Sequence, residues 1–235
     1  MRQLINNWSK INHMLFGQRC LLCAATHPQP HGLCPACLND LPRLADTHCP
    51  QCALFSATGL ICGQCLRSPP AFDRTIALFR YAHPVDAMLQ RYKYQHRLHL
   101  AEPFADMMLE TLHEQPSPDL IIPMPLHALR LRERGFNQSL EIARHLAKRL
   151  ELPLETAAVV RTKLSPPQAS LPLKARVKNM KHAFACTRRF DGLRIALVDD
   201  VMTTGASLNA LAKALKDAGA EQVECWVLAR TLPQQ

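Results

Sequence analysis

Asp199 and Asp200 stand side by side at the end of an apolar run, Leu193 to Val198, and are followed by Val201-Met202-Thr203-Thr204-Gly205-Ala206-Ser207. Residues of these types at this spacing can hold a molecule that is anionic at one end and hydroxylated at the other. Gly205 permits backbone torsions that side chains disfavour, so successive N–H groups can converge on one point, flanked by the hydroxyls of Thr203, Thr204 and Ser207. Each hydrogen bond to a charged group contributes roughly 1.5 to 3 kcal/mol, against about 0.3 to 1 kcal/mol for a helix dipole, so the donors dominate such a phosphate cradle. Carboxylates repel phosphate, and their place beside the cradle makes sense when the same ligand also offers hydroxyls or carries Mg²⁺. A phosphorylated ribose has both ends. The plain alternative is a strand closing on an aspartate N-cap and a polar turn, which needs two acids, two threonines and a glycine to coincide without a ligand.

An open parallel α/β sheet positions groups in this way, because ligands bind at the C-terminal edge of its strands. The run Leu193 to Val198 has the length and continuous apolarity of a strand buried on both faces. Further strands are expected at Phe72 to Tyr81, Leu120 to Ile122, Ala157 to Arg161 and Val223 to Ala229, with helices after Pro84, over Ala101 to Glu114, over Asn137 to Leu150, and from Leu208 to a C′ glycine at Gly219. The Leu120 strand runs into Pro123-Met124-Pro125-Leu126-His127, then Arg130, Arg132 and Arg134 before Gly135-Phe136-Asn137-Gln138. A strand exit with three arginines before a helix suits pyrophosphate, with Pro125 and His127 beside it; arginines at alternate positions equally describe a solvated loop.

Ten cysteines accompany this pattern. Eight form C-x2-C knuckles, Cys20/Cys23, Cys34/Cys37, Cys49/Cys52 and Cys62/Cys65, separated by 10, 11 and 9 residues. Eight thiolates complete two tetrahedral Zn²⁺ sites, whereas redox C-x-x-C motifs come singly and disulfides are rare in the cytosol. Spacing leaves open whether the knuckles pair consecutively or in a cross-brace; consecutive ribbons are the working expectation. Cys186 and Cys225 sit alone in apolar settings and read as buried structural thiols. The formal net charge is +9; two four-thiolate zinc sites, each carrying −2, bring it to +5, still compatible with polyanions.

A zinc module over 17–70 and an α/β domain over 71–235 follow, divided at Ser68-Pro69-Pro70. The hydrophobic content of 48% supports a sizeable core for the second. No run approaches the ~20 apolar residues of a membrane span, and Met1 to Phe16, a short helix by its spacing, is too polar for a signal peptide; a cytoplasmic protein without membrane insertion is expected. Arg91, Lys93, His96, Arg97 and His99 surround Tyr92 and Tyr94, which reads either as a single-strand nucleic-acid platform or as a solvated helix face over core tyrosines.

The apolar strand, Asp-Asp and Thr-Gly-x-Ser resemble the phosphoribosyl-pyrophosphate (PRPP) loop of type I phosphoribosyltransferases. The likeness gives Asp199 and Asp200 the ribose hydroxyls, residues 201–207 the 5′-phosphate, and Mg²⁺ a place with PRPP. With the knuckles, P-x-P-x-H (Pro123 to His127), R-E-R-G-F-N-Q (Arg132 to Gln138), R-T-x5-Q (Arg161 to Gln168), and R-x-x-N (Arg176 to Asn179) with Phe184, the whole is similar to the ComF/GntX family. That resemblance implies a type I phosphoribosyltransferase-like parallel sheet flanked by helices, preceded by a double zinc ribbon. It also implies a lid carrying Gln168, Lys174 and Asn179, with Arg176 joining the pyrophosphate group. The ComF branch is associated with DNA uptake in natural transformation, which brings in single-stranded DNA and competence-machinery proteins as partners; the GntX name refers to gluconate use. Whether the chain turns over PRPP with an unassigned acceptor, the variable hood being placed near residues 72–100, or only senses it, stays open at this level.

Overall fold

A computed structural model describes residues 19–26, 30–113, 116–162 and 183–233. The helix read over residues 1–12 and the lid residues Gln168, Lys174, Arg176 and Asn179 lie outside them. The chain divides into two compact units between Leu41 and Pro42, so the second four-cysteine cluster belongs to the larger unit.

The core of the larger unit is a four-stranded parallel sheet. Its strands are β1 (Arg74–Arg80), β2 (Leu120–Pro123), β5 (Arg194–Met202) and β6 (Gln222–Arg230), in the order β1-β6-β5-β2. A separate antiparallel pair is formed by β3 (Val159–Arg161) and β4 (Phe184–Cys186). The central strands β5 and β6 are buried along nearly their whole length, the sequence signature of a parallel sheet covered on both faces. The helices are α1 (Pro35–Asn39), α2 (Gly63–Arg67), α3 (Val85–Tyr94), α4 (Ala101–Leu112), α5 (Ala128–Arg134), α6 (Gln138–Leu150) and α7 (Ala206–Asp217).

Two local findings differ from the sequence reading. The segment starting at Phe72 enters the parallel sheet as its edge strand beside β6, with Thr75 opposite Cys225 and Ala77 opposite Val227, so only the residues after Arg80 are left to form a hood. The 3.6-residue period of the sequence places Leu140, Ala143, Ala147 and Leu150 on the inner face of α6, whereas the buried stripe is Ile142, Ala143, Leu146 and Ala147, with Leu140 and Leu150 part-exposed. Cys225 is fully buried in β6, whereas Cys186 is part-exposed at the edge pair.

Tyr92 resolves the basic-aromatic cluster in part. It is fully buried, packs edge-on against Phe104 with ring centroids 5.6 Å apart, and donates its hydroxyl to the Gln138 carbonyl at 2.8 Å. Tyr92→Phe is therefore expected to cost about 1 kcal/mol in urea unfolding, the worth of one buried hydrogen bond; no loss would mean that the carbonyl finds another donor. Tyr94, two residues on, is 69% exposed.

Candidate functional site

The two aspartates are held where β5 has lost one neighbour and kept the other. Pairing with β2 ends at Pro123 opposite Val198, and the Met124 N–H donates to Val198 O at 2.8 Å. Pairing with β6 continues through Asp199 opposite Val227 to Met202 opposite Arg230. The strand thus runs four residues beyond its apolar run, and the acids sit on a ledge at the C-terminal edge. Both are nearly buried.

Burial gives them opposite electrostatics. Asp199 Oδ1 accepts from Ser139 Oγ at 2.9 Å and from the Asp200 N–H at 2.9 Å. Burial first, and the charge of Asp200 second, nevertheless push its carboxyl up to about 7. For Asp200 burial also acts upward, but its ion pair with Lys93 of α3 outweighs it and holds this carboxyl below the ordinary range. One acid is a fixed anion and the other is poised to titrate near neutrality.

The following turn ends in Gly205, which adopts φ 77° and caps α7. A side chain there is strained by that torsion, and a Cβ would lie 2.7 Å from Met202 Cε. The Ala206 N–H is taken by Thr204 Oγ1 at 3.3 Å. Asp199, Val201, Met202, Thr203, Gly205, Ala206 and Ser207 line one open hollow of about 60 Å³. Six of the seven residues 201–207 and one of the two acids therefore share a cavity; Asp200 points to Lys93 instead.

The arginine segment is a helix, not a loop. His127 caps α5, its Nδ1 accepting from the Leu129 N–H at 3.2 Å. On a helix, residues two apart diverge. Arg130 binds Glu133 at 2.8 Å, Arg134 binds Gln138 Oε1 at 2.6 Å and lies over the Tyr94 ring, and Arg132 is exposed. Pro125 is half-buried ahead of them.

The cysteines pair consecutively. Cys20, Cys23, Cys34 and Cys37 form one cluster and Cys49, Cys52, Cys62 and Cys65 another, the four sulfurs of each lying within 4.8 Å of one another. Cys23 and Cys34 Sγ are 3.7 Å apart, as are Cys52 and Cys62 Sγ. Four thiolates about 2.3 Å from zinc span tetrahedron edges of about 3.8 Å, while a disulfide brings its sulfurs to about 2.05 Å, so the spacing fits the metal. The clusters are built alike. Each first knuckle closes on a left-handed alanine, Ala24 (φ 60°) or Ala53 (φ 56°), and each second knuckle starts at the N-cap of a short helix, Cys34 for α1 and Cys62 for α2. Burial pushes the Cys20 and Cys49 thiols upward, but backbone N–H donors outweigh it and draw them to about 6 and about 7, while the hydrogen bond with Cys34 pushes Cys37 up to about 12 and burial pushes Cys52 up to about 11.

A model of the double zinc ribbon domain matches residues 11–66, and a model of the phosphoribosyl transferase domain matches residues 137–234. Competence protein F of Haemophilus influenzae is 31% identical over 226 residues, 92% of this chain and 98% of that protein. The chain belongs to the ComF family. The DNA utilization protein YhgH of Escherichia coli is 34% identical over 221 residues, 91% of this chain and 97% of its own length. Competence protein ComFC of Streptococcus pneumoniae is 26% identical over 207 residues, 84% and 87% respectively.

Membership of the ComF family makes the parallel sheet a type I phosphoribosyltransferase fold and the cysteine clusters the zinc sites of a double zinc ribbon. Among the described residues no helix is long and apolar enough to cross a membrane. The structure also adds three side chains to the candidate site. Lys93 holds Asp200, Ser139 orients Asp199, and Arg230 at the end of β6 donates to the carbonyls of Met202 and Thr203. Ser139 directly follows the G-F-N-Q motif, which is a local signal. Lys93 and Arg230 carry none, since their partners are 107 and 27 or more residues away in sequence.

Proposed function

We propose that the chain binds PRPP, or a related ribose phosphate, together with Mg²⁺ in the hollow beyond β5, and acts on single-stranded DNA handled during natural transformation. The observation that carries this is the convergence on one hollow of Asp199 with the Gly205 turn at the head of α7. The turn offers donors to a terminal phosphate, and Asp199 offers an acceptor to the ribose hydroxyls. In turnover, an acceptor nucleophile attacks the anomeric carbon as the bond to pyrophosphate breaks, and pyrophosphate leaves with the bonding electrons. Mg²⁺, when bound, neutralises charge on that leaving group. Arg130 and Arg134 lie on one side of α5, at a strand exit, where a polyphosphate can reach them. The DNA role rests on the names of the relatives, the basic net charge and an exposed group comprising Tyr94, Arg91 and Arg97.

A second reading, ligand sensing without turnover, draws support from the engagement of Asp200 by Lys93, which withdraws one acid from the ribose.

Calorimetry with PRPP and Mg²⁺ tests the binding. The wild type should release heat, and Asp199→Asn/Asp200→Asn should bind at least about tenfold more weakly, the loss of one charged hydrogen bond. Absence of heat with every ribose phosphate tried sinks the proposal. Because the ionised Asp199 accepts hydrogen bonds from hydroxyls more strongly than the neutral acid does and its carboxyl is pushed up to about 7, affinity should rise from about pH 6 to about pH 8 and be flat in Asp199→Asn. Pyrophosphate release with candidate acceptors then separates an enzyme from a sensor, and affinity for single-stranded DNA should fall steeply with salt.

A further inference from the structure

We propose that Arg230 couples the second zinc ribbon to the phosphate turn, so that the metal-loaded knuckle Cys49-Pro50-Gln51-Cys52 holds the turn in its binding shape. This rests on the ribose-phosphate reading of the turn given above. Arg230 ends β6 and is 3% exposed. Its Nε donates to the Cys52 carbonyl at 2.8 Å. Its Nη1 donates to the carbonyls of Met202 at 2.9 Å, Thr231 at 2.9 Å, and Thr203. One rigid guanidinium plane therefore spans from a zinc ligand to the first residue of the turn, a reach and geometry that an ammonium cannot copy.

The knuckle is anchored on its other carbonyls as well. Pro50 O accepts from the Thr75 N–H at 2.9 Å, and Gln51 O from Thr75 Oγ1 at 2.6 Å. The same Thr75 hydroxyl lies 3.9 Å from Met202 Sδ. Three consecutive carbonyls, Pro50 to Cys52, are thus spent on the sheet and on Arg230. Zinc at Cys49 and Cys52 fixes both ends of this four-residue segment, and with it the directions of those carbonyls. Without the metal only the Thr75 and Arg230 hydrogen bonds hold the segment, so the Cys52 carbonyl is less firmly aimed at Arg230 and the brace on the Met202 and Thr203 carbonyls loosens.

The test is hydrogen exchange by mass spectrometry on the full zinc-loaded chain, read on peptides covering residues 202–208, beside calorimetry with PRPP and Mg²⁺. Arg230→Met should keep two zinc ions per chain while turn amides exchange at least about fivefold faster and PRPP affinity falls about tenfold or more. Cys62→Ser, which breaks the second site without touching Arg230, should speed the same amides. Arg230→Lys, which keeps the charge, should lie between and carries the test with Cys62→Ser if Arg230→Met fails to fold. Unchanged turn exchange in these variants overturns the coupling, even where the wild type binds PRPP. Faster exchange in these variants, with a wild type that never binds PRPP, upholds the coupling and removes the ligand reading alone.

Discussion

Replacing Cys65 with serine is expected to lower the zinc content from two ions per chain to one and the melting temperature of the 42–235 unit by about 10 °C or more. A structural zinc is worth roughly 10 to 16 kcal/mol in finger peptides, as much as the whole stability of an ordinary domain, about 5 to 15 kcal/mol. Burial cannot replace it here, because Phe55, Leu60 and Leu66 beside the cluster are 69%, 68% and 68% exposed. The loss also reaches the main core. Ala53, the left-handed residue closing the knuckle, packs in one buried cluster with Phe72 and Met202. Metal analysis with calorimetry on Cys65→Ser reads both effects, and Cys186→Ser should keep both ions. A one-zinc variant that melts with the wild type would show that the larger unit folds without its metal.

The parts legible in the sequence are those whose physics is local. A C-x2-C knuckle, a strand that stops being apolar at two acids, and a glycine at the head of a helix each act within a few residues, and Leu193 to Ser207 and the eight cysteines sit as those rules require. The arginine run misled because alternation at Arg130, Arg132 and Arg134 resembles an extended chain. The helix is set instead by its ends, His127 as cap and Gly135 at φ 77° as stop. Lys93 stayed hidden for another reason. Among the basic residues of 91–99 its composition is that of a solvated surface, and only the fold, which brings the end of α3 to Asp200 at the end of β5, turns it inward. The length of β5 likewise depended on β6, which keeps pairing after β2 has ended.

Lys93→Met is expected to destabilise the protein by about 3 to 5 kcal/mol at pH 8, the cost of leaving one partner of a buried ion pair without the other. The side chains of Lys93 and Asp200 are 18% and 5% exposed, so water replaces the lost ammonium poorly. The pH dependence separates this from a packing loss. In the wild type Asp200 is held below its ordinary range and Lys93 above its own. The stability Asp200 contributes is therefore present above its unfolded value and lost as pH falls through the lower folded value. Without Lys93, burial is opposed only by the weaker Asp199 hydrogen bond and Arg134 charge and raises the Asp200 carboxyl, so the variant takes up a proton on folding and its penalty shrinks toward about pH 5. A methionine that merely packed badly would cost the same at both pH values. Lys93→Met/Asp200→Asn closes the cycle: with no buried charge left unpaired, it should recover most of the loss in urea unfolding. A double variant as unstable as Lys93→Met, with no change between the two pH values, would show that the pair contributes nothing by its charge. If the double variant instead recovers yet binds no ribose phosphate, the same two charges that steady the β5 edge are also those the ligand needs.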